Sequence, residues 1–316
     1  MSRIHEALKK AQLERGAGQG PAEPDLGAVG EPGPPPPAMI EDSALVASGG
    51  IATAAFEPLT LESIRQQCPV SDWKPDAKAV LFADPASSAR PSGAEEFRTL
   101  RSRLYHLREK RPLQSVLVTS ALPSEGKTFV TLNLARAIAQ QPHRSVLVID
   151  ADLRIARIHE GLGASPTPGL SDYLRGEADL ISILQRGPED NFFIIPGGSS
   201  NANPSEFLGT GRLRTLLNRV TPAFDWILLD SPPCVFLSDA SLIAKVCDGV
   251  LIVVQSGLTP FDTARKARRE FPEEQLVGVV LNRVPAGLTY GAYYYYGSGY
   301  GYGYGRKAAE PKNGKS

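Results

Sequence analysis

The stretch SVLVTSALPSEGKT, Ser115 to Thr128, decides the fold. Its first half, Ser115–Thr119, is an almost continuously apolar run of the kind that suits a parallel strand buried on both faces. Its second half, Ala121-Leu122-Pro123-Ser124-Glu125-Gly126-Lys127-Thr128, breaks the strand and opens a helix that continues to about Gln140. A turn between a strand and a helix N-terminus points backbone N–H groups at an anion. In such a phosphate loop Lys127 reaches the terminal phosphates of a nucleotide and the Thr128 hydroxyl ligates Mg²⁺. Pro123, Ser124, Glu125, Gly126 and Phe129 complete the nucleotide-contacting set. Ala121 stands where such loops carry their first glycine.

Outward from this loop the pattern repeats. Strand-like runs recur at Val146–Asp150, Phe192–Ile195, Trp226–Asp230, Val250–Val254 and Val277–Leu281. Helical spacing fills the intervals at Leu180–Gln185, Pro204–Asn218, Ala240–Val246 and Thr263–Phe271, and also precedes the loop at Gly93–Leu107. This alternation predicts an α/β fold of the P-loop NTPase type, a mainly parallel sheet flanked by helices, with its ligand at the carboxyl ends of the strands.

Two of the strands deliver acids to that end. The run Val146–Arg154 places Asp150 at the close of its strand and Asp152 in the following loop. The two carboxylates can therefore take different work, one holding Mg²⁺ and one accepting a proton. The alternative is that both only cap the next segment. The run Trp226–Pro233 ends its strand on Asp230, with two prolines fixing the loop behind it. An apolar strand closed by Asp is the metal-side partner of a phosphate loop.

The ends of the chain read differently. Residues 2–15 form a short amphipathic helix with Ile4, Ala7, Leu8 and Ala11 on one face. A helix of that length needs a partner surface, and a frayed polar terminus is the alternative. Residues 16–90 are a Pro/Gly-rich linker followed by a weakly ordered segment that improves towards Ala79. The nucleotide domain spans 91–285. Eight of the ten tyrosines fall between Tyr290 and Tyr304, in a 286–316 tail of alternating Gly and Tyr that cannot pack a core and is expected to be disordered.

Composition narrows the class. Among 316 residues, 34 Lys+Arg balance 34 Asp+Glu, which argues against a protein that wraps nucleic acid. Cys68, Cys234 and Cys247 lack metal-ligand spacing and read as buried thiols of a reducing cytoplasm. No apolar run approaches the ~20 residues needed to cross a bilayer. The expected location is the cytoplasm, with recruitment to the inner face of the plasma membrane through a partner.

Taken together, the phosphate loop, Asp150-Ala151-Asp152-Leu153-Arg154, Asp230-Ser231-Pro232-Pro233 and the tyrosine-rich end resemble the bacterial tyrosine kinases of capsule and exopolysaccharide export. The likeness spans Ser92 to Tyr304. The opening SRIHEALKKA resembles the free-standing members that accompany exosortase-type polysaccharide loci.

The resemblance implies an ATP- and Mg²⁺-dependent protein-tyrosine autokinase. Asp150 is then the residue that activates the acceptor hydroxyl. Asp152 and Asp230 are Mg²⁺-side carboxylates with Thr128, and Arg154 lies near the phosphates. The acceptors are Tyr290, Tyr293, Tyr294, Tyr295, Tyr296, Tyr300, Tyr302 and Tyr304, phosphorylated between subunits. Glu95, Arg98 and Arg101 match a signature that builds a ring of subunits; a local ion pair on one helix is the alternative. Asn282 stands where related ATPases read adenine, and a capping Asn is the alternative.

The implied partners are other copies of the chain, a membrane co-polymerase that regulates chain length, and a cognate tyrosine phosphatase. Nucleic acid is not among them. The competing class is a regulatory switch ATPase of the MinD/ParA kind, without kinase activity. An inactive scaffold is disfavoured by the intact Lys127, Asp150, Asp152 and Asp230.

Overall fold

A computed structural model describes residues 59–79, 93–199 and 203–285. The chain divides into units at Met1–Thr53 and Ala54–Ser316, and every described residue belongs to the second. The amphipathic helix read over 2–15, the proline-rich linker and the tyrosine tail lie outside the described residues.

Seven strands form one sheet: β1 Ser115–Ser120, β2 Val146–Asp150, β3 Gln185–Arg186, β4 Phe192–Ile195, β5 Trp226–Asp230, β6 Gly249–Gln255 and β7 Leu276–Asn282. Their order is β3-β4-β2-β5-β1-β6-β7, and only the β3–β4 pairing is antiparallel. The apolar runs alternate between two cores, as a period of two requires. Leu117, Leu147, Ile149, Phe193, Ile227, Leu229 and Ile252 face one side. Val116, Val118, Val148, Phe192, Trp226, Leu228 and Leu251 face the other.

Nine helices, α1 to α9 in chain order, cover these faces among the described residues: Leu61–Gln67, Ala94–Arg108, Lys127–Ala139, Ile158–Leu162, Leu170–Arg175, Pro204–Leu208, Arg212–Val220, Asp239–Ala244 and Phe261–Arg269. The second core takes Phe97 and Leu104 of α2, a broad face of α3, and Ile158 and Leu162 of α4. The first takes Leu170 of α5, Leu213 and Leu216 of α7, Ile243 of α8 and Ala267 of α9. Both faces of β1, β2, β4, β5 and β6 are therefore sealed, which explains why their sequences are apolar at almost every position; β7, at the sheet edge, leaves Val279 and Leu281 exposed.

Three local readings change. Leu180–Gln185 is not a helix. It is a turn anchored by buried Leu180, Ile183 and Leu184, which leads into β3. Pairing Gln185 with Ile194 and Arg186 with Phe193 extends the sheet there instead. The helix expected over Pro204–Asn218 is two helices, α6 and α7, broken where Gly211 takes a left-handed conformation at φ 78. The short α4 and α5 carry no long periodic signal and each ends at a left-handed glycine, Gly163 or Gly176.

The largest difference lies in residues 59–79, read as weakly ordered. They form a strap around the edge of the sheet. Helix α1 is closed at its start by Thr60 and Ser63 in a reciprocal cap, and it seats Ile64 in the first core. Val70 then bridges to Arg186 at the β3 edge. Trp73 enters the second core, edge-on to Phe192 at 5.5 Å. Ile64 and Cys68, with Leu59 and Leu61 beside them, anchor this strap on one face and Trp73 on the other, and so short an apolar pattern gives little periodicity to read.

Candidate functional site

The site sits where β1, β2 and β5 end. These strands are neighbours, and their register makes Asp150 and Asp230 direct partners. After β1 the chain turns through Ser124 at φ 64 and Gly126 at φ 92 before entering α3 at Lys127. A Cβ on Gly126 would lie 2.2 Å from Asn282 Nδ2, so only glycine allows this turn beside the end of β7.

The loop is braced from behind. Glu125 is buried, and its carboxylate accepts the Leu122 N–H at 2.7 Å and the Thr259 hydroxyl. Asn282 Nδ2 donates to the Glu125 carbonyl at 2.8 Å. Glu125 and Asn282 thus shape the loop. Phe129 packs its ring on Phe97 of α2 at 5.8 Å while lining the adjoining cavity. Pro123 and Ser124 form the exposed crest of the turn.

The charged centre is compact. Lys127 Nζ lies 2.8 Å from Asp152 Oδ2 and 4.0 Å from Asp230 Oδ2, with all three side chains largely buried. Thr128 donates its hydroxyl to Asp230 Oδ2 at 2.6 Å. Thr131 points at the other Asp230 oxygen from 3.4 Å. Burial would lower the Lys127 pKa, but Asp230 and Asp152 more than reverse this and hold it above its ordinary value. Burial raises Asp230 despite the opposing pull of Lys127 and Thr128.

Asp150 is also strongly perturbed. One oxygen, Oδ2, accepts the backbone N–H groups of Arg157 and Ile158 at 2.9 Å each, where α4 begins. The other, Oδ1, is buried with no hydrogen-bond partner. Burial first, then the Asp230 charge, push this carboxyl up to about 8.

Arg154 is held away from the loop's own residues. Its Nε and Nη2 donate to the two oxygens of Asp239 at 2.6 and 3.2 Å, and Ser205 joins the same carboxylate at 2.6 Å. Asp239 opens α8 and Ser205 lies in α6. Neither carries a sequence signal beyond that of a helix start, so only the fold reveals them. Of the ring signature, Glu95 and Arg98 pair with each other at 2.8 Å on α2. Arg101 turns inward and donates to the Ala137 carbonyl in the last turn of α3. All eight tyrosines expected to be acceptors, Tyr290 to Tyr304, lie outside the described residues.

The donor set suits a hydrated magnesium nucleotide. Thr128, Asp230 and Asp152 offer hard oxygen ligands. Among the described residues no cluster of three or more His, Cys, Asp or Glu forms a closed metal cage. Phosphate oxygens and water are the usual complement of such an open set. The unpartnered Asp150 oxygen leaves one acceptor position free beside it.

A profile of the CobQ/CobB/MinD/ParA nucleotide binding domain matches residues 116–292. The chain is 31% identical over 204 residues to the tyrosine-protein kinase YwqD of Bacillus subtilis, covering 63% of this chain and 86% of that protein. It is 34% identical over 206 residues to the tyrosine-protein kinase etk of Escherichia coli, of which it spans only 27%. The solved kinase domain of Escherichia coli ETK superposes with a TM-score of 0.56 at 30% identity, covering 70% of this chain and 82% of that one. The chimerical protein CapA2B2 superposes with a TM-score of 0.60 at 26% identity, covering 72% of this chain and all of that one. No helix among the described residues is long and apolar enough to cross a membrane.

Proposed function

The chain belongs to the bacterial tyrosine-protein kinases of the CobQ/CobB/MinD/ParA nucleotide-binding family, and we propose that it is an autokinase which transfers the terminal phosphoryl group of ATP to its own C-terminal tyrosine cluster. The reading rests above all on Asp150: a buried carboxylate with one oxygen fixed by two N–H groups and the other unpartnered, beside Lys127, Asp152, Asp230 and Thr128.

Phosphoryl transfer asks for positioning and charge stabilisation more than for covalent chemistry. The loop N–H groups and Lys127 hold phosphate oxygens. Thr128, Asp230 and Asp152 would hold Mg²⁺, which when bound offsets charge on the phosphates. Lys127 pairs with Asp152 and would turn to a phosphate oxygen of a bound nucleotide. In its ionised form Asp150 orients the incoming phenol and accepts its proton as the new O–P bond forms and the bond from the γ-phosphorus to the β-phosphate oxygen breaks, so that ADP leaves. A phenol has a pKa of about 10. An acid raised to about 8 is a far better match for it than an ordinary carboxylate.

The acceptors are Tyr290, Tyr293, Tyr294, Tyr295, Tyr296, Tyr300, Tyr302 and Tyr304, reached between subunits of a ring. Exposed Glu95 and half-buried Arg98 on α2 are the candidate contacts, with Arg101 as a third once released from Ala137. Each phosphate adds about −1.5 to −2 charge, so phosphorylation loosens the assembly. The physiological role is control of exopolysaccharide or capsule polymerisation and export through a membrane co-polymerase; the motif set and the opening SRIHEALKKA support it.

Incubation with γ-labelled ATP tests this on three samples: wild type, Lys127→Ala and a chain ending before Tyr290. Label is expected on wild type alone, and the truncated chain labels a tail added in trans. ATP consumed by wild type with no phosphotyrosine overturns the reading in favour of a switch ATPase.

A further inference from the structure

A cavity of about 470 Å³ adjoins the phosphate loop. Its size is that of a nucleotide-scale pocket. One wall is the expected machinery: Gly126, Thr128, Phe129 and Asn282. The opposite wall is marked by no motif. It consists of Asp76, Lys78 and Ala79 at the end of the strap, together with Arg157 and Glu160 at α4.

The strap is fixed at this wall through its backbone. Asp76 N–H donates to the Gly161 carbonyl at 3.1 Å. The Asn133 amide of α3 donates to the Ala79 carbonyl at 3.0 Å. Gly163, at φ 65, lies so close that a Cβ there would be 2.7 Å from the Lys74 carbonyl oxygen. Asp76 Oδ1 accepts the Lys78 N–H at 2.9 Å, which sets a tight turn and fixes the main chain from which the Lys78 ammonium extends. Trp73, three residues upstream of Asp76, anchors all of this in the second core.

On the reading that a nucleotide rests on the phosphate loop, we propose that the strap completes its binding compartment, with Lys78 as a further nucleotide-binding residue and Asp76 as the residue that positions it. A nucleotide is an anion whose phosphates would rest at Gly126 and Thr128, and the same cavity is lined by the cations Lys78 and Arg157 beside the acids Asp76 and Glu160. The compartment is therefore shared between the motif-bearing core and a segment that arrives from the N-terminal side of the domain.

Calorimetric titration with Mg²⁺-ADP tests this in the full chain, using wild type, Asp76→Ala/Lys78→Ala, Lys78→Arg and Lys127→Ala. Asp76 and Lys78 are both exposed, so the double variant is expected to melt at the wild-type temperature. Its Kd should rise about tenfold, the scale of a lost charge-assisted hydrogen bond, while Lys78→Arg binds close to wild type. Binding by the double variant within about twofold of wild type, with Lys127→Ala defective, overturns the role of the strap and leaves the nucleotide reading intact. Wild type that does not bind Mg²⁺-ADP overturns both.

Discussion

Replacing Asp150 with Asn should remove a component of the pH dependence of folding stability in the nucleotide-free protein. Asp150 is fully buried and is the register partner of Asp230, and its carboxyl is pushed up to about 8. In the unfolded chain the same group titrates near the ordinary carboxylate value of about 3.9. Between those limits the folded state keeps a proton that the unfolded state has lost. The stability due to that proton is complete below the ordinary value and declines as pH rises towards about 8. One proton corresponds to about 1.4 kcal/mol per pH unit. From about pH 5.5 to about pH 7 wild type therefore loses about 2 kcal/mol relative to Asp150→Asn, or roughly 4–8 °C in Tm for a body of this size.

Asn can accept the Arg157 and Ile158 N–H groups through its amide oxygen, so the local geometry is kept. Urea denaturation of both proteins over this range, with a metal chelator present, measures the difference. Parallel stability curves for the two proteins would falsify the claim that Asp150 is held protonated by burial beside Asp230.

Gly126→Ala should abolish Mg²⁺-ADP binding, and adding Asn282→Ala should restore only part of it, because the clash is relieved while the left-handed backbone remains; calorimetry reads both. Trp73→Ala should cost about 3–5 kcal/mol in chemical denaturation, as for other buried aromatic truncations, and a chain begun at residue 80 should melt well below one begun at residue 54. A double-mutant cycle on Arg154→Ala and Asp239→Ala should show a coupling of about 0.5–3 kcal/mol in stability; strictly additive effects would mean that the bidentate pair is an incidental surface contact. Glu125→Gln should weaken Mg²⁺-ADP binding while leaving the sheet intact by circular dichroism, since it removes the carboxylate that both Leu122 N–H and the Thr259 hydroxyl address.

Much of this was legible without coordinates because the chemistry is local. A strand buried on both faces announces itself as Val146–Asp150 or Trp226–Asp230, and a phosphate loop needs its lysine and threonine next to a helix start. All three cysteines are free and buried, as their spacing suggested. What escaped was anything that two distant segments make together. Asp239 and Ser205 look like ordinary helix-start residues until Arg154 reaches them across 85 and 51 positions. The inward turn of Arg101 depends on where α2 crosses α3. The strap is the clearest case: its composition resembles a linker, and its order comes from Ile64 and Trp73 finding opposite faces of a sheet built much later in the chain.

The strap is also arranged in series. A pull from its upstream end meets the Leu59 N–H bond to the Arg219 carbonyl and the burial of Ile64 first. The Val70 bridge and Trp73 come next, and the contacts of Asp76 and Ala79 beside the phosphate loop come last. Load of that kind is borne one anchor at a time, so the strap acts as a mechanical fuse.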